Sequence, residues 1–374
     1  MKFRFVLFAT IIALTYSCTT STQEYASDIE NSDIRYAEGF CIKNHGGFRE
    51  IIINEPYKNS VLERYYLIED DQTKTPEDGV RLHIPLGKIG IASCTHIGFM
   101  EALGLLDHIS GICLPNTIYS PAMRQLYQSG KAIDMGDAMS IDPERALLAH
   151  ADAIMISGYG QGDVNPDRLK SIGIQVIYNN EWTEVTPLGR AEWIKMVGAL
   201  FCRDSLADAV FETVEKAYND LAEKSKQTTN QQRPSIMSGN NFRGTWYMSS
   251  GDSYMGRLFA DAGADYYFEN DSTKGSIPLS IESVLQHFGN ADVWVGSNGT
   301  SLDDLAKSDE KHTWFSAYKN KRVYNFYRRR TETGANDYWE RGVVHPEELL
   351  SDLVWALYPD SMKNYEPIYI QQLQ

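Results

Sequence analysis

The spacing of apolar positions divides the chain into stretches of different texture. At the start, Lys2 and Arg4 precede an apolar run from Phe5 to Leu14, with small and polar residues leading to Cys18. That is the layout of a secretory signal over residues 1–17, and the run is far short of the roughly 20 residues a membrane-spanning helix needs. Thr19 to Ser32 lacks apolar periodicity and reads as part of a flexible tether over residues 18–35. From Tyr36 to Ile68, extended segments such as FCIK and FREIIIN flank the turn Asn44-His45-Gly46-Gly47, a pattern that predicts β-hairpins. Beyond Leu82, short apolar runs (IGIAS, ISGIC, ADAIMIS, IQVIY) alternate with helical patterns, the signature of a parallel sheet. After Arg203, Val210, Val214, Ala217, Tyr218 and Leu221 recur at spacings of three and four, predicting one long helix from about Ser205 to Lys226, with Asp204 or Ser205 as its cap. The alternation then restarts with PSIM, a helix over 253–262, DYYF, a helix over 281–288, DVWVG, RVYNF and a helix over 346–357.

The expected fold class is therefore α/β: two Rossmann-like lobes with parallel sheets, residues 36–187 and 231–374, joined by helices over 188–230 and separated by a ligand cleft. Ile141-Asp142-Pro143-Glu144 heads ALLAHADAIMIS, and Leu279-Ser280-Ile281-Glu282 heads SVLQHFGNADVWVGS, so each half carries the order Glu, helix, Ala-Asp, strand. Two such lobes place loops at the carboxyl ends of both sheets, where ligands bind in folds of this kind. A single stiff helix between them predicts a small opening motion.

Composition narrows the function. Of 374 residues 43% are hydrophobic and 23% charged, an ordinary globular balance, and the net charge of −15 excludes a general nucleic-acid binder, which needs a basic face. Cys41, Cys94, Cys113 and Cys202 show no spacing suited to a metal, so no protein-bound metal or cofactor is expected; Cys94 and Cys113 are placed to meet if they end neighbouring strands. No GxSxG, HExxH or phosphate-loop motif supports an enzyme, although a chelatase-like activity and a surface binding lipoprotein are the rival readings.

From Leu82 onward the order of elements, the segments IGIASCTHIGFMEALGLLDHISGI and TWYMSSGDSYMGRLFADAGADY, and the paired glutamate segments resemble the helix-linked (class III) periplasmic solute-binding proteins of ABC importers. The resemblance implies an iron-siderophore, haem or cobalamin ligand, with a ferric siderophore favoured here. It also implies a monomer that docks on a permease dimer with its ATPase, through arginines facing Glu144 and Glu282. Leu14-Thr15-Tyr16-Ser17-Cys18 resembles a lipobox, which implies lipidation of Cys18 and a membrane-anchored periplasmic protein. The segment Gly334 to Glu340 resembles a turn of Bacteroidetes-type members and is assigned no chemistry. Loops after the strands supply the candidate ligand contacts His96, Tyr159, Trp182, Arg243, Trp246, Tyr247 and Arg328. Aromatic faces and guanidinium groups suit a bulky chelate with anionic oxygens, while core packing is the competing reading for Trp246 and Tyr247, and a solvated charged face for the arginines.

Overall fold

A computed structural model describes residues 30–31, 33–58, 60–158, 165–228 and 233–374. The signal, Cys18 and Tyr159 lie outside the described residues. Among those described, no helix is long and apolar enough to cross a membrane.

The hairpins form a five-stranded sheet. Glu30–Asn31, Phe40–Asn44, Arg49–Asn54 and Val61–Ile68 pair antiparallel in that order, and Val80–His83 adds a parallel edge strand. The polar stretch expected to be a tether as far as residue 35 thus joins the sheet from Glu30. It is then fixed to the body, because the buried Glu192 carboxylate accepts the backbone N–H groups of Arg35, Tyr36 and Ala37 at 2.7–3.1 Å. Glu184 accepts those of Glu38 and Gly39 in the same way. Three amides on one buried carboxylate replace its lost hydration.

The next sheet is wholly parallel, in the spatial order Gln175–Tyr178, Ala153–Ile156, Ile89–Ile91, Ile109–Ile112, Ile133–Asp134. Its middle strands are buried on both faces, which explains their continuous apolar runs. Tyr65 stitches the two sheets: its hydroxyl donates to Val176 O and accepts from Tyr178 N, each at 3.0 Å, satisfying the edge strand. Cys94 and Cys113 follow neighbouring strands and are both unpaired thiols, which settles the pairing that the sequence left open.

The joining helix spans Asp204–Thr228, about 37 Å at 1.5 Å per residue. It starts a residue earlier than anticipated, so Asp204 sits in the first turn and pairs with Arg49 at 2.5 Å instead of capping. Ala207, Phe211, Val214, Tyr218 and Ala222 form its buried face, against the helices Ile194–Leu200 and Pro346–Leu357. One hydrophobic core runs through both halves.

The second half repeats the first only in outline. Ile236–Ser238 and Val293–Val295 pair in parallel, and single parallel bridges, Ser235 with Asp265 and Trp294 with Val323, stand where flanking strands were anticipated. Beyond the Asp265 bridge the segment DYYF is a turn in which Tyr266 packs on Phe259 and Phe288, so Tyr266 serves the core without lengthening a strand. Asn241–Phe242, Thr245–Ser249 and Ser276–Leu279 form a separate antiparallel sheet. The helices Ile281–Phe288 and Pro346–Leu357 have the bounds their periodicity predicts.

Candidate functional site

The first-half wall is built where its parallel strands end. Ser93 caps the helix Cys94–Ala102, and His96 in that helix's first turn is fully buried. Its Nε2 lies 3.1 Å from Asn179 O and 3.5 Å from Ser157 Oγ, whereas Nδ1 has no partner. Burial pushes the imidazole pKa down to about 4, so the ring is neutral near pH 7 and Nε2–H is the donor to Asn179. After Gln175–Tyr178 come Asn180, whose Oδ1 accepts from Gly158 N at 2.7 Å, and Glu181, which is ion-paired with Arg190. Asn180 Nδ2 and Glu181 Oε1 are buried without partners, like His96 Nδ1. Unsatisfied buried groups are uncommon and mark places where water or a ligand belongs, and three of them gather at the ends of these strands. The neighbouring Cys94 thiol is pushed up to about 12 by burial, then by Glu340 and Glu181, so it is no nucleophile at neutral pH.

The second-half wall is more exposed. Asn240 braces it, accepting from Asn298 N and donating to Gly296 O, both at 2.7 Å. Trp246 does not face the cleft. It is fully buried, its Nε1 donates to Ser238 O at 2.8 Å, and its ring packs on Trp294, His312 and Phe315. Strand alternation turns Tyr247 the other way, where it is 48% exposed. Arg243 is exposed in a left-handed conformation (φ 52°) and lies over the Phe242 ring at 5.1 Å. Arg328, the arginine chosen from the sequence, is paired with Glu366 in an exposed position. Arg329 is the one that reaches the first half: it pairs with Asp337 at 2.7 Å and lies 5.5 Å over the ring of Tyr119. Arg330 covers Tyr327 at 4.4 Å.

The halves touch at several points. The Glu340 carboxylate crosses to the backbone N–H groups of Tyr119 and Ser120, at 2.8 Å for the latter. A side chain at Gly98 would collide with the Glu340 carbonyl, so glycine is what allows this approach. Thr333 Oγ1 donates to Asn116 O at 3.0 Å, and Arg190 lies 5.2 Å over the ring of Tyr254. Burial pushes the Glu340 pKa up to about 7, against the lowering effect of its two amide donors. A cavity of about 340 Å³ lies at this seam, bounded by Glu101, Tyr119, Arg329, Asp337, Arg341 and Glu348 among others. Sequence reasoning missed Arg190 and Tyr254; in the Gly334–Glu340 segment, given only a structural part, Asp337 pairs with Arg329 and Glu340 supplies the cross-cleft carboxylate.

Trp182 is 37% exposed at the cleft rim, edge-on to Tyr57 with ring centroids 6.5 Å apart. Glu144 and Glu282 are exposed in the first turns of Pro143–Leu148 and Ile281–Phe288, on helices capped by Asp142 and Ser280; Glu282 is paired with Lys311 at 2.9 Å. Among the described residues, His345, Glu347 and Glu348 gather as one group with metal-ligand chemistry. Arg341 pairs with Glu348, and His345 Nδ1 lies 2.9 Å from Glu347 Oε1, so these side chains already have partners within the protein.

Two α/β halves, a helix across both and polar residues collected where the strands of each half end define a solute-binding protein, not an enzyme. The chain belongs to the periplasmic binding protein family, whose model matches residues 99–327. It is 26% identical over 290 residues to an uncharacterized lipoprotein of Methanocaldococcus jannaschii, covering 75% of this chain and 67% of that one. Its fold matches a possible iron-binding periplasmic solute-binding protein from Staphylococcus epidermidis (TM-score 0.56, 18% identity, 73% of this chain and 99% of that one). A periplasmic heme binding protein from Pseudomonas aeruginosa matches similarly (TM-score 0.56, 15% identity, 77% and 98%).

Proposed function

We propose that the protein captures a metal chelate, a ferric siderophore in the first instance, between its halves and delivers it to the permease of an ABC importer from a lipid anchor at Cys18. The observation that carries this reading is a pair of polar and aromatic walls, one in each half. The first holds partnerless buried polar atoms at His96, Asn180 and Glu181; the second presents Arg243, Tyr247 and Arg329. Fixed polar groups orient a ligand, while aromatic and guanidinium faces supply contact area to a bulky anionic one. Glu144 and Glu282 are both exposed, Glu282 while paired with Lys311, and can meet basic residues of the permease; such contacts set register and encounter rate more than affinity.

Tryptophan fluorescence of the full-length chain in detergent, titrated with ferric siderophores, haemin and cyanocobalamin, tests the ligand. Saturable binding of a ferric siderophore alone is the expected result, binding of haemin or the corrinoid alone moves the ligand within the class, and binding of none overturns the reading. For docking, Glu144→Arg with Glu282→Arg abolishes uptake and leaves chelate affinity within about twofold. A parallel collapse of affinity places these carboxylates in the ligand pocket instead.

A further inference from the structure

The family model begins at residue 99, so the five-stranded sheet of residues 30–83 lies wholly outside it. One turn of that sheet reaches the cleft. Between Arg49–Asn54 and Val61–Ile68 the chain reverses at Glu55-Pro56-Tyr57-Lys58, closed by Lys58 N–H donating to Glu55 O at 3.1 Å. In the type II form of such a turn, which proline in second place permits, the third residue takes positive φ, which glycine or asparagine accepts at little cost. Here that residue is Tyr57, at φ 60°. A bulky side chain in this conformation is a genuine outlier, and such strain concentrates at functional positions. The strain yields no core packing, since Tyr57 is 63% exposed. What it achieves is placement, with the ring edge-on to Trp182, four residues beyond the edge strand of the parallel sheet.

Beside this aromatic pair lies a cavity of about 430 Å³, walled by the turn, by Thr183 and Val185, and by Lys274 from the second half. Of the carboxylates lining it, Glu55 is held by Lys58 and Ser60, and Glu184 by Trp193 Nε1 and two backbone amides. Glu38 is the remaining acid. Among the described residues Lys274 is exposed and has no ion-pair partner, and it is the one charge that the opposite half contributes to this cavity.

We propose that Tyr57, Trp182 and Lys274 form a rim subsite for an aromatic ring bearing an anionic oxygen, supplied to the shared fold by the added N-terminal sheet. The proposal rests on the reading of the protein as a chelate binder and names the part of the chelate that this chain selects: an aryl carboxylate or phenolate arm. The ring lies against the aromatic pair, and its acid group meets the Lys274 ammonium.

Salicylate, metal-free, probes the subsite separately from chelate capture. With the full-length chain in detergent, salicylate is expected to saturate at millimolar strength and to shift the Trp182 indole resonance, assigned through Trp182→Phe. Tyr57→Gly and Lys274→Glu each weaken it at least tenfold. Because glycine suits the turn, Tyr57→Gly also raises the thermal midpoint, so loss of binding cannot be put down to loss of fold. Indifference to salicylate, preference for benzylamine over salicylate, or an unchanged affinity in Tyr57→Gly would each overturn the subsite. Salicylate binding without binding of any ferric siderophore, haemin or cyanocobalamin overturns the chelate reading alone.

Discussion

The two walls of the cleft are made of different material. On the first-half side, polar groups are buried and held at several points: His96 by Asn179, Asn180 by Gly158, Glu181 by Arg190. On the second-half side, Arg243, Tyr247 and Arg328 to Arg330 stand exposed on hairpins and turns, and the parallel sheet beneath them shrinks to two paired strands and two bridges. A wide sheet supports pre-organised, desolvated contacts; a narrow one supports adaptable contacts at the surface. The division suits a receptor whose first wall fixes orientation while its second conforms to the outline of the solute.

The largest test of this contrast pairs adjacent residues. Trp246→Ala removes a buried indole and is expected to cost about 3–5 kcal/mol in chemical denaturation, whereas Tyr247→Ala costs under about 0.5 kcal/mol and is read in ligand affinity. A similar loss from both would mean that the hairpin has no cleft face. Glu181→Ala leaves Arg190 buried and unpaired, and a comparable loss of about 3–5 kcal/mol follows in the same assay.

The pH profile distinguishes the walls next. Glu340, raised to about 7, keeps its proton in the folded state after the unfolded chain has lost it, so its contribution falls as pH rises from about 4.5 to 7. His96, lowered to about 4, acts in the opposite sense, and its contribution is lost as pH falls from about 6.5 to 4. Each spans about 3 kcal/mol, and they oppose one another over most of that window. Urea midpoints of the native protein should therefore stay nearly level from pH 4.5 to 6.5, while those of Glu340→Gln climb by about 3 kcal/mol equivalent. A level profile in the variant would show that Glu340 does not titrate as its burial implies. The smallest effect belongs to Arg328→Ala, whose exposed pair with Glu366 should be worth less than about 1 kcal/mol; a larger loss would place Arg328 among the structural residues of the seam.

Much of the fold is legible in the residues. Three- and four-residue spacing marks the joining helix and the helices at 281–288 and 346–357, because burial of one helical stripe leaves that trace. Short apolar runs mark the doubly buried strands of the first half. The same signal misleads at Asp265–Phe268, where apolar residues pack as a turn, since local composition does not separate a strand from a turn buried against the core. The site is less legible. Trp246 and Tyr247 are neighbours of similar chemistry, and only the phase of the pleat decides which is core. Glu340 and Arg190 act through partners far away in sequence, Ser120 for one and Tyr254 for the other. Pro56 marks a turn locally, but proline in second place suits turns of either form, so the positive φ of Tyr57 is legible only in the structure.

The stitching of the leading segment has a mechanical consequence. Glu192 grips the chain at Arg35 to Ala37, and Arg35 and Tyr36 both engage Glu215 on the joining helix. The N-terminal sheet is thereby riveted to the strut and to the first half at once. Any hinge motion about that strut carries Tyr57 and Trp182 as one jaw and leaves Lys274 on the other.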